Sequence, residues 1–289
     1  MIKKLFGGVI ISLLWITNLW AWPWTINYVP TTDTYAPKNI NLSVWETGYT
    51  DYDWVDPYTG IKYRESFEAT STQLIALSFG LPSLKIGKWE IDSDIGMTHI
   101  EPEDKFYDED FFDAKVRFIQ DAQFHPWSPS LAVGTWFVGG RMDMDAYENY
   151  DLNGVYHHTD ASHPSVYLTT SKYIYIPHFL TEVSLAYIWN NYGIDEEDIF
   201  GAGFYTALWT EKLWATFDYY GGKFGQYGMG LFWYITENIW FQSIYFIPTN
   251  RDYTPDLSHL NLPNLKIENY NSPSVWIGLY FNFPIKIFD

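Results

Sequence analysis

Leu213-Trp-Ala-Thr-Phe-Asp-Tyr-Tyr220, Tyr227-Gly-Met-Gly-Leu-Phe-Trp-Tyr-Ile235 and Ile239-Trp-Phe-Gln-Ser-Ile-Tyr-Phe-Ile247 are the three stretches whose reading decides the fold of this chain. Each alternates two kinds of side chain residue by residue, and each is joined to the next by a few polar residues or glycines. A period of two in strands this long and this aromatic is the pattern of a transmembrane β-barrel, in which lipid-facing and lumen-facing positions alternate. Hydrocarbon offers a backbone amide no partner, so a sheet can cross it only when closed on itself.

Working outward, the same unit repeats from about Asn39 to Phe283 and predicts an all-β, single, antiparallel up-and-down transmembrane barrel of about twelve strands. The expected spans are roughly 39–49, 68–79, 89–99, 111–121, 130–140, 165–176, 180–189, 199–208, 213–220, 226–235, 239–247 and 274–283. Alternation is weakest over 39–79. Connections alternate in length. Short ones fall at 81–88, 122–129, 177–178, 210–212 and 236–238; long ones fall at 50–67, 100–110, 141–164, 190–198 and 248–273, with 221–225 as a short exception. In bacterial barrels short turns face the periplasm and long loops the exterior, so both chain ends are expected in the periplasm.

Three segments follow along the chain. Residues 1–21 read as a secretory signal, with Lys3 and Lys4 ahead of an apolar run from Leu5 to Leu14 and a small residue at Ala21. Residues 22–38, with Pro23, Pro30 and Pro37, read as an irregular periplasmic lead-in, and 39–289 as the barrel. Cysteine is absent, which excludes a disulfide framework, a thiolate metal site, a cysteine nucleophile and a lipoprotein anchor. The 24 Tyr, 20 Phe and 15 Trp suit a wall with an aromatic girdle at each membrane interface. A net charge of −18 argues against nucleic acid as a partner. Much of the acid sits in the long connections, as in Asp51, Asp53 and Asp56 or Asp195-Glu196-Glu197-Asp198, with no calcium-loop spacing.

Alternation also assigns the lumen. Trp89, Ile91, Ile95 and Met97 share one face of the third strand, while Glu90, Asp92, Asp94 and Thr98 share the other. On the fourth strand Phe112, Ala114, Val116 and Phe118 oppose Asp113, Lys115 and Arg117. Charge is costly against lipid, so both charged rows point inward, and a hairpin tipped near Asp104 sets Asp94 beside Lys115 and Asp92 beside Arg117. Such a row is either an ionic ladder that props the wall or the selectivity region of a pore. Later strands are expected to turn Tyr205, Trp209, Trp214, Asp218, Phe232, Tyr234, Trp276 and Tyr280 inward, with Gly201, Gly203, Gly228, Gly230 and Gly278 beside them. Aromatic rings with glycine gaps can hold a ring-shaped solute or form a packed interior. The eleventh strand is ambiguous, because Gln242 and Ser243 point opposite ways.

His157, His158 and His163, with Asp160 between them, are a weak candidate for a zinc or copper site, since no fixed spacing accompanies them. Nothing in the sequence calls for a cofactor. His163-Pro164-Ser165 is similar to the His-x-Ser pair of outer-membrane phospholipases, which are also twelve-stranded, and that likeness implies a His–Ser dyad and a lipid hydrolase. The motif departs from that family: Val166-Tyr167 stand where Asn-Gly is expected, Pro164 interrupts the ladder, and the seventh strand has no Asn or Gln to orient the histidine.

The chain resembles porin-like outer-membrane β-barrel proteins of Gram-negative bacteria, through Pro30-Thr-Thr-Asp33 and Asn39-Ile-Asn-Leu42 ahead of the first strand and an aromatic at Phe283 or Phe288 near the end. The resemblance implies outer-membrane lipid, lipopolysaccharide and the barrel-assembly machinery as partners. The expected activity is passive passage of small hydrophilic solutes, cationic or neutral. The alternative is a non-conducting structural or adhesive barrel, closed by 22–38 or 141–164.

Overall fold

The computed structural model describes residues 29–35, 37–49, 52–55, 61–65, 72–102, 108–143, 159–161, 165–176, 179–190, 197–209, 212–222, 225–250, 266–268 and 273–284. The signal segment, His157, His158, His163 and Phe288 lie outside these residues, as do most of the long connections.

Among the described residues seventeen strands are formed. Twelve of them build the wall: β1 (Asn39–Tyr49), β4 (Thr72–Gly80), β6 (Trp89–Pro102), β7 (Asp108–Ile119), β8 (Ser130–Asp143), β10 (Ser165–Ile176), β11 (Phe179–Asn190), β12 (Glu197–Trp209), β13 (Leu213–Tyr220), β14 (Gln226–Thr236), β15 (Ile239–Pro248) and β17 (Ser274–Pro284). Each pairs antiparallel with its neighbours in that order, and β1 pairs with β17 from Asn39↔Pro284 to Tyr49↔Ser274, so the barrel closes. The remaining strands modify the expected connections. The short turn at 81–88 contains β5 (Leu84–Ile86), which folds onto the start of β6. β2 (Tyr52–Val55), β3 (Lys62–Glu65) and β16 (Lys266–Glu268), from two connections expected to be irregular, form a separate three-stranded sheet. β9 (Thr159–Ala161) extends the tip of β8. Several wall strands run beyond their expected ends, so that Glu101, Asp108, Asp110, Asp143 and Asp198, read as loop acids, stand on strand termini.

The alternation read from sequence is the physical sidedness of the wall. On β13 Trp214, Thr216, Asp218 and Tyr220 are buried inside, and Leu213, Ala215, Phe217 and Tyr219 face out. Ile95, Phe112, Val116, Leu168, Leu185, Leu231, Ile277 and Leu279 are exposed large apolar side chains around the outside. Rings stand at both rims of this band: Trp89, Phe124, Trp127 and Trp209 at the end with the short turns, Trp189, Phe200, Tyr227 and Tyr245 toward the other. Among the described residues no helix is long and apolar enough to cross a membrane, which says nothing of strands. An apolar outside on a closed sheet with a polar inside is the arrangement a bilayer requires.

β15 resolves the eleventh expected strand. Trp240, Gln242, Ile244 and Phe246 are buried inside, and Ser243 faces outward. One sequence assignment is corrected. The β12–β13 ladder shifts register between Ala207 and Trp209, and this bulge turns Trp209 to the outer surface, where 68% of it is exposed.

Candidate functional site

The lumen is lined by two unlike walls, and a segment of the chain runs between them. The first wall comprises β6, β7, β8, β10, β11 and β12. β6 and β7 pair with Asp92 opposite Arg117 and Asp94 opposite Lys115, the register that charge alternation predicts. Arg117 Nη2 donates to Asp92 Oδ2 at 2.7 Å, and Ser83 Oγ and Gln120 Nε2 donate to the same carboxylate. Asp94, Asp113 and Lys115 are buried inside. Glu90 is the exception in its row. It sits at the mouth, 2.8 Å from Lys85 on β5. Its hydrogen bond, and then its charge, hold the Lys85 ammonium above its ordinary range.

Sequence reasoning did not single out Glu182, Tyr173, Thr169, Ser171, Ser184 or Ser130, all on the same wall. They join through hydroxyls: Ser171 Oγ and Ser184 Oγ lie 2.6 Å apart, Ser184 donates to Glu182 Oε1, and Tyr205 Oη donates to Glu182 Oε2. Hydroxyl residues at inward positions were the available signal, since a lipid-facing row would not place Ser165, Thr169 and Ser171 on one side of a strand.

The second wall comprises β13, β14, β15, β17 and β1 and is aromatic. Trp214, Phe232 and Trp240 form a buried cluster against Tyr205, Tyr234 and Tyr280. The Trp240 and Tyr280 rings stack at 5.2 Å, and Tyr205 meets Trp214 edge-on at 5.1 Å. Trp276 lies nearer the other rim, against Phe246 and Trp45. Two of the glycine gaps, at Gly278 and Gly201, are filled. A Cβ on Gly278 would come within 2.5 Å of the Trp45 ring, and one on Gly201 within 2.8 Å of Val29. Packing therefore occupies the space a ring-shaped solute would need.

Residues 29–35 were expected in a periplasmic lead-in and instead run inside the barrel. Val29, Thr31, Thr32 and Tyr35 are buried. Val29 N donates to Asp218 Oδ2 at 3.0 Å, Thr169 Oγ1 donates to the Pro30 carbonyl at 2.6 Å, and Lys115 Nζ donates to the Thr31 carbonyl at 3.4 Å. Thr32 N donates to Ser171 Oγ at 3.1 Å, and Thr32 Oγ1 lies 2.5 Å from Ser130 Oγ. Tyr173 donates to Asp33 Oδ2 at 2.9 Å and Tyr205 Oη lies 2.9 Å from the same oxygen, Arg117 approaches Asp33 Oδ1 at 3.5 Å, and Tyr35 N donates to Asp94 Oδ2 at 3.1 Å. The physical reason is polar satisfaction. The closed wall offers this segment no free edge to extend, and the inward side chains of the first wall need partners that aromatic packing cannot supply. The segment rises from Lys38, at the end with the short turns, to Val29 beside Gly201.

Ser165 faces the lumen, fully buried, with Trp136 opposite it on β8. It therefore does not face the bilayer, where a hydrolase of membrane lipid would need its nucleophile.

Several solved structures align with this architecture at low identity. Its neighbours are outer-membrane barrels of Gram-negative bacteria. An outer membrane channel from Pseudomonas putida F1 is 10% identical, with 91% of this chain and 100% of that chain aligned at a TM-score of 0.46. The outer membrane protein Omp33 of Acinetobacter baumannii is 8% identical over 86% of this chain and 100% of that one, TM-score 0.42. The toluene transporter TodX of P. putida is 7% identical over 87% and 91%, TM-score 0.45. No family model matches the sequence, and no curated protein matches it.

Proposed function

We propose that this protein is an outer-membrane channel for small hydrophilic solutes, cations or neutral molecules before anions, held shut in this state by residues 29–35. The observation that carries the reading is the chemistry of the plug seat. Residues 29–35 are held by hydrogen bonds and ion pairs rather than by an apolar core, so withdrawing them uncovers a polar, charged wall that water can solvate. The lumen then carries Asp92, Asp94, Asp113, Glu182 and Asp218 against Lys115 and Arg117, an acidic balance that favours cations. Each plug contact is worth about 0.5–1.5 kcal/mol net, less the entropy of ordering the segment, so displacement costs on the order of a few kcal/mol and is thermally accessible.

In this reading the short turns lie in the periplasm, the long connections lie outside, and both chain ends are periplasmic. Lipid, lipopolysaccharide and the assembly machinery are the partners of the wall, and the protein has no catalytic role. The inward placement of Ser165 supports this last point.

A second reading, a non-conducting barrel of structural or adhesive role, is favoured by the fullness of the lumen. Single-channel recording in planar bilayers separates the two. The full chain is expected to be closed with brief openings, and deletion of 29–35, or Gly201→Val, which crowds Val29, to open it with a cation-selective reversal potential. Silence of the full chain and of both variants, with the barrel folded, establishes the non-conducting reading.

A further inference from the structure

Glu182 is fully buried on the inner face of β11, between two phenols that stand directly opposite it, Tyr173 on β10 and Tyr205 on β12. Among the described residues it makes no ion pair. Its partners are hydroxyls, those of Tyr205, Ser184, Tyr173 and Ser171. Asp33 of the buried segment comes down on the same row. Tyr173 Oη and Tyr205 Oη each lie 2.9 Å from Asp33 Oδ2 and 2.7 Å from one another. Tyr205 Oη therefore touches a carboxylate of the wall and a carboxylate of the plug at once. The other charged or titratable groups that face Asp33 are Arg117 and Lys115 from β7 and Tyr234 from β14.

Four oxygen–oxygen contacts tie this knot, and the two phenols supply one hydrogen each. The two carboxylates compete for the single hydrogen of Tyr205. With that hydrogen on Glu182, Tyr205 Oη meets Asp33 Oδ2 oxygen to oxygen, with no hydrogen between them. A proton on Glu182 turns the bond round. Glu182 then donates to Tyr205, Tyr205 donates to Asp33, and Tyr173 donates to Asp33 as well. If both acids are ionised, two negative charges lie within hydrogen-bond reach of one phenol oxygen, where water is excluded and repulsion is weakly screened. Arg117 and Lys115 offset Asp33, so Glu182 is the acid left to take the proton.

We propose that residues 29–35 dock with a proton on Glu182, and that the chain Glu182–Tyr205–Asp33 is a pH-sensitive latch on the plug. The proton comes from water and returns to it. When the segment withdraws, Asp33 leaves with it, and Glu182 and the two phenols are hydrated instead. Docking therefore takes up one proton. By linkage it is favoured at low pH and weakens as the pH rises, by at most roughly tenfold per pH unit. The latch concerns docking alone and stands whether or not solute passes.

The test is amide hydrogen exchange of the full chain in detergent, read by mass spectrometry from about pH 5 to about pH 10 and corrected for the intrinsic rate at each pH. The amides of Val29, Thr32 and Tyr35 donate to the wall, so docking protects them. Their protection is expected to fall with rising pH, by up to roughly tenfold per unit, while the amides of β13 stay protected. In Glu182→Gln the side-chain amide donates to Tyr205 at every pH, and protection of 29–35 should stay high and flat. Flat protection in the native chain overturns the proposal, as does a fall that persists in Glu182→Gln. A fall shared by β13 is unfolding of the whole barrel and overturns it equally. If Glu182→Gln fails to fold, Asp33→Asn removes the second charge instead, and a pH-dependent fall that survives there overturns the latch.

Discussion

The wall from β6 to β12 and the wall from β13 through β17 to β1 solve the same problem in opposite ways. Both must fill the inside of a closed sheet. The second does it with its own side chains: Trp214, Phe232, Trp240 and Tyr280 pack on one another, and Trp45 covers Gly278. The first presents charges and hydroxyls that packing cannot satisfy, and most of the bonds that hold residues 29–35 come from it. The difference teaches that a ring-filled wall is complete by itself, whereas a charged wall needs a partner, and a partner on a separate segment can leave. On the proposed channel reading, the first wall is the site of gating and the second is scaffold.

Experiments on single residues can break that contrast. The largest effect is expected at the ladder. Lys115→Ala leaves Asp94 facing an empty position and should destabilise by about 3–5 kcal/mol in urea titrations, while Lys115→Ala with Asp94→Ala should lose clearly less. If the double variant is the worse of the two, the ladder does not act as a pair. Asp33→Ala comes next. It removes the acceptor for Tyr173 and Tyr205 and the contact to Arg117. A loss of about 2 kcal/mol in plug docking raises the open population by roughly 30-fold, read as open probability in bilayers. An unchanged open probability would remove Asp33 from the latch.

Gly278→Ala tests the other wall. Its new Cβ meets the Trp45 ring, so stability should fall by about 1–3 kcal/mol with no change in conductance. A conductance change there would break the division into gate and scaffold. The smallest effect is expected at the outer rim. Trp127→Ala, at a side chain that is 77% exposed, should leave stability in detergent within about 0.5 kcal/mol and weaken only the partition into lipid vesicles.

Period-two patterning carried the local structure. The strands, their lipid-facing rows and the Asp92–Arg117 and Asp94–Lys115 pairs follow from alternation and from the cost of charge in hydrocarbon, both of which act within one hairpin. Gln242 shows the limit of that logic. It and Ser243 are adjacent and polar, so only the pairing of β15 with its neighbours decides which faces in. Trp209 shows another, because a one-residue bulge reverses every parity argument beyond it. The place of residues 29–35 had no periodic signal at all. Pro30, Thr31, Thr32 and Asp33 are as compatible with an exposed linker as with a buried plug, and Asp33 finds Arg117, Tyr173 and Tyr205 only once β7, β10 and β12 have been brought around one lumen. Sequence by itself determined a closed barrel and the charged pairs of one hairpin, since those depend on neighbours two residues apart or across one turn. Tertiary structure alone decided that the lumen is filled and by what, because that depends on satisfying polar groups drawn from strands far apart in the chain.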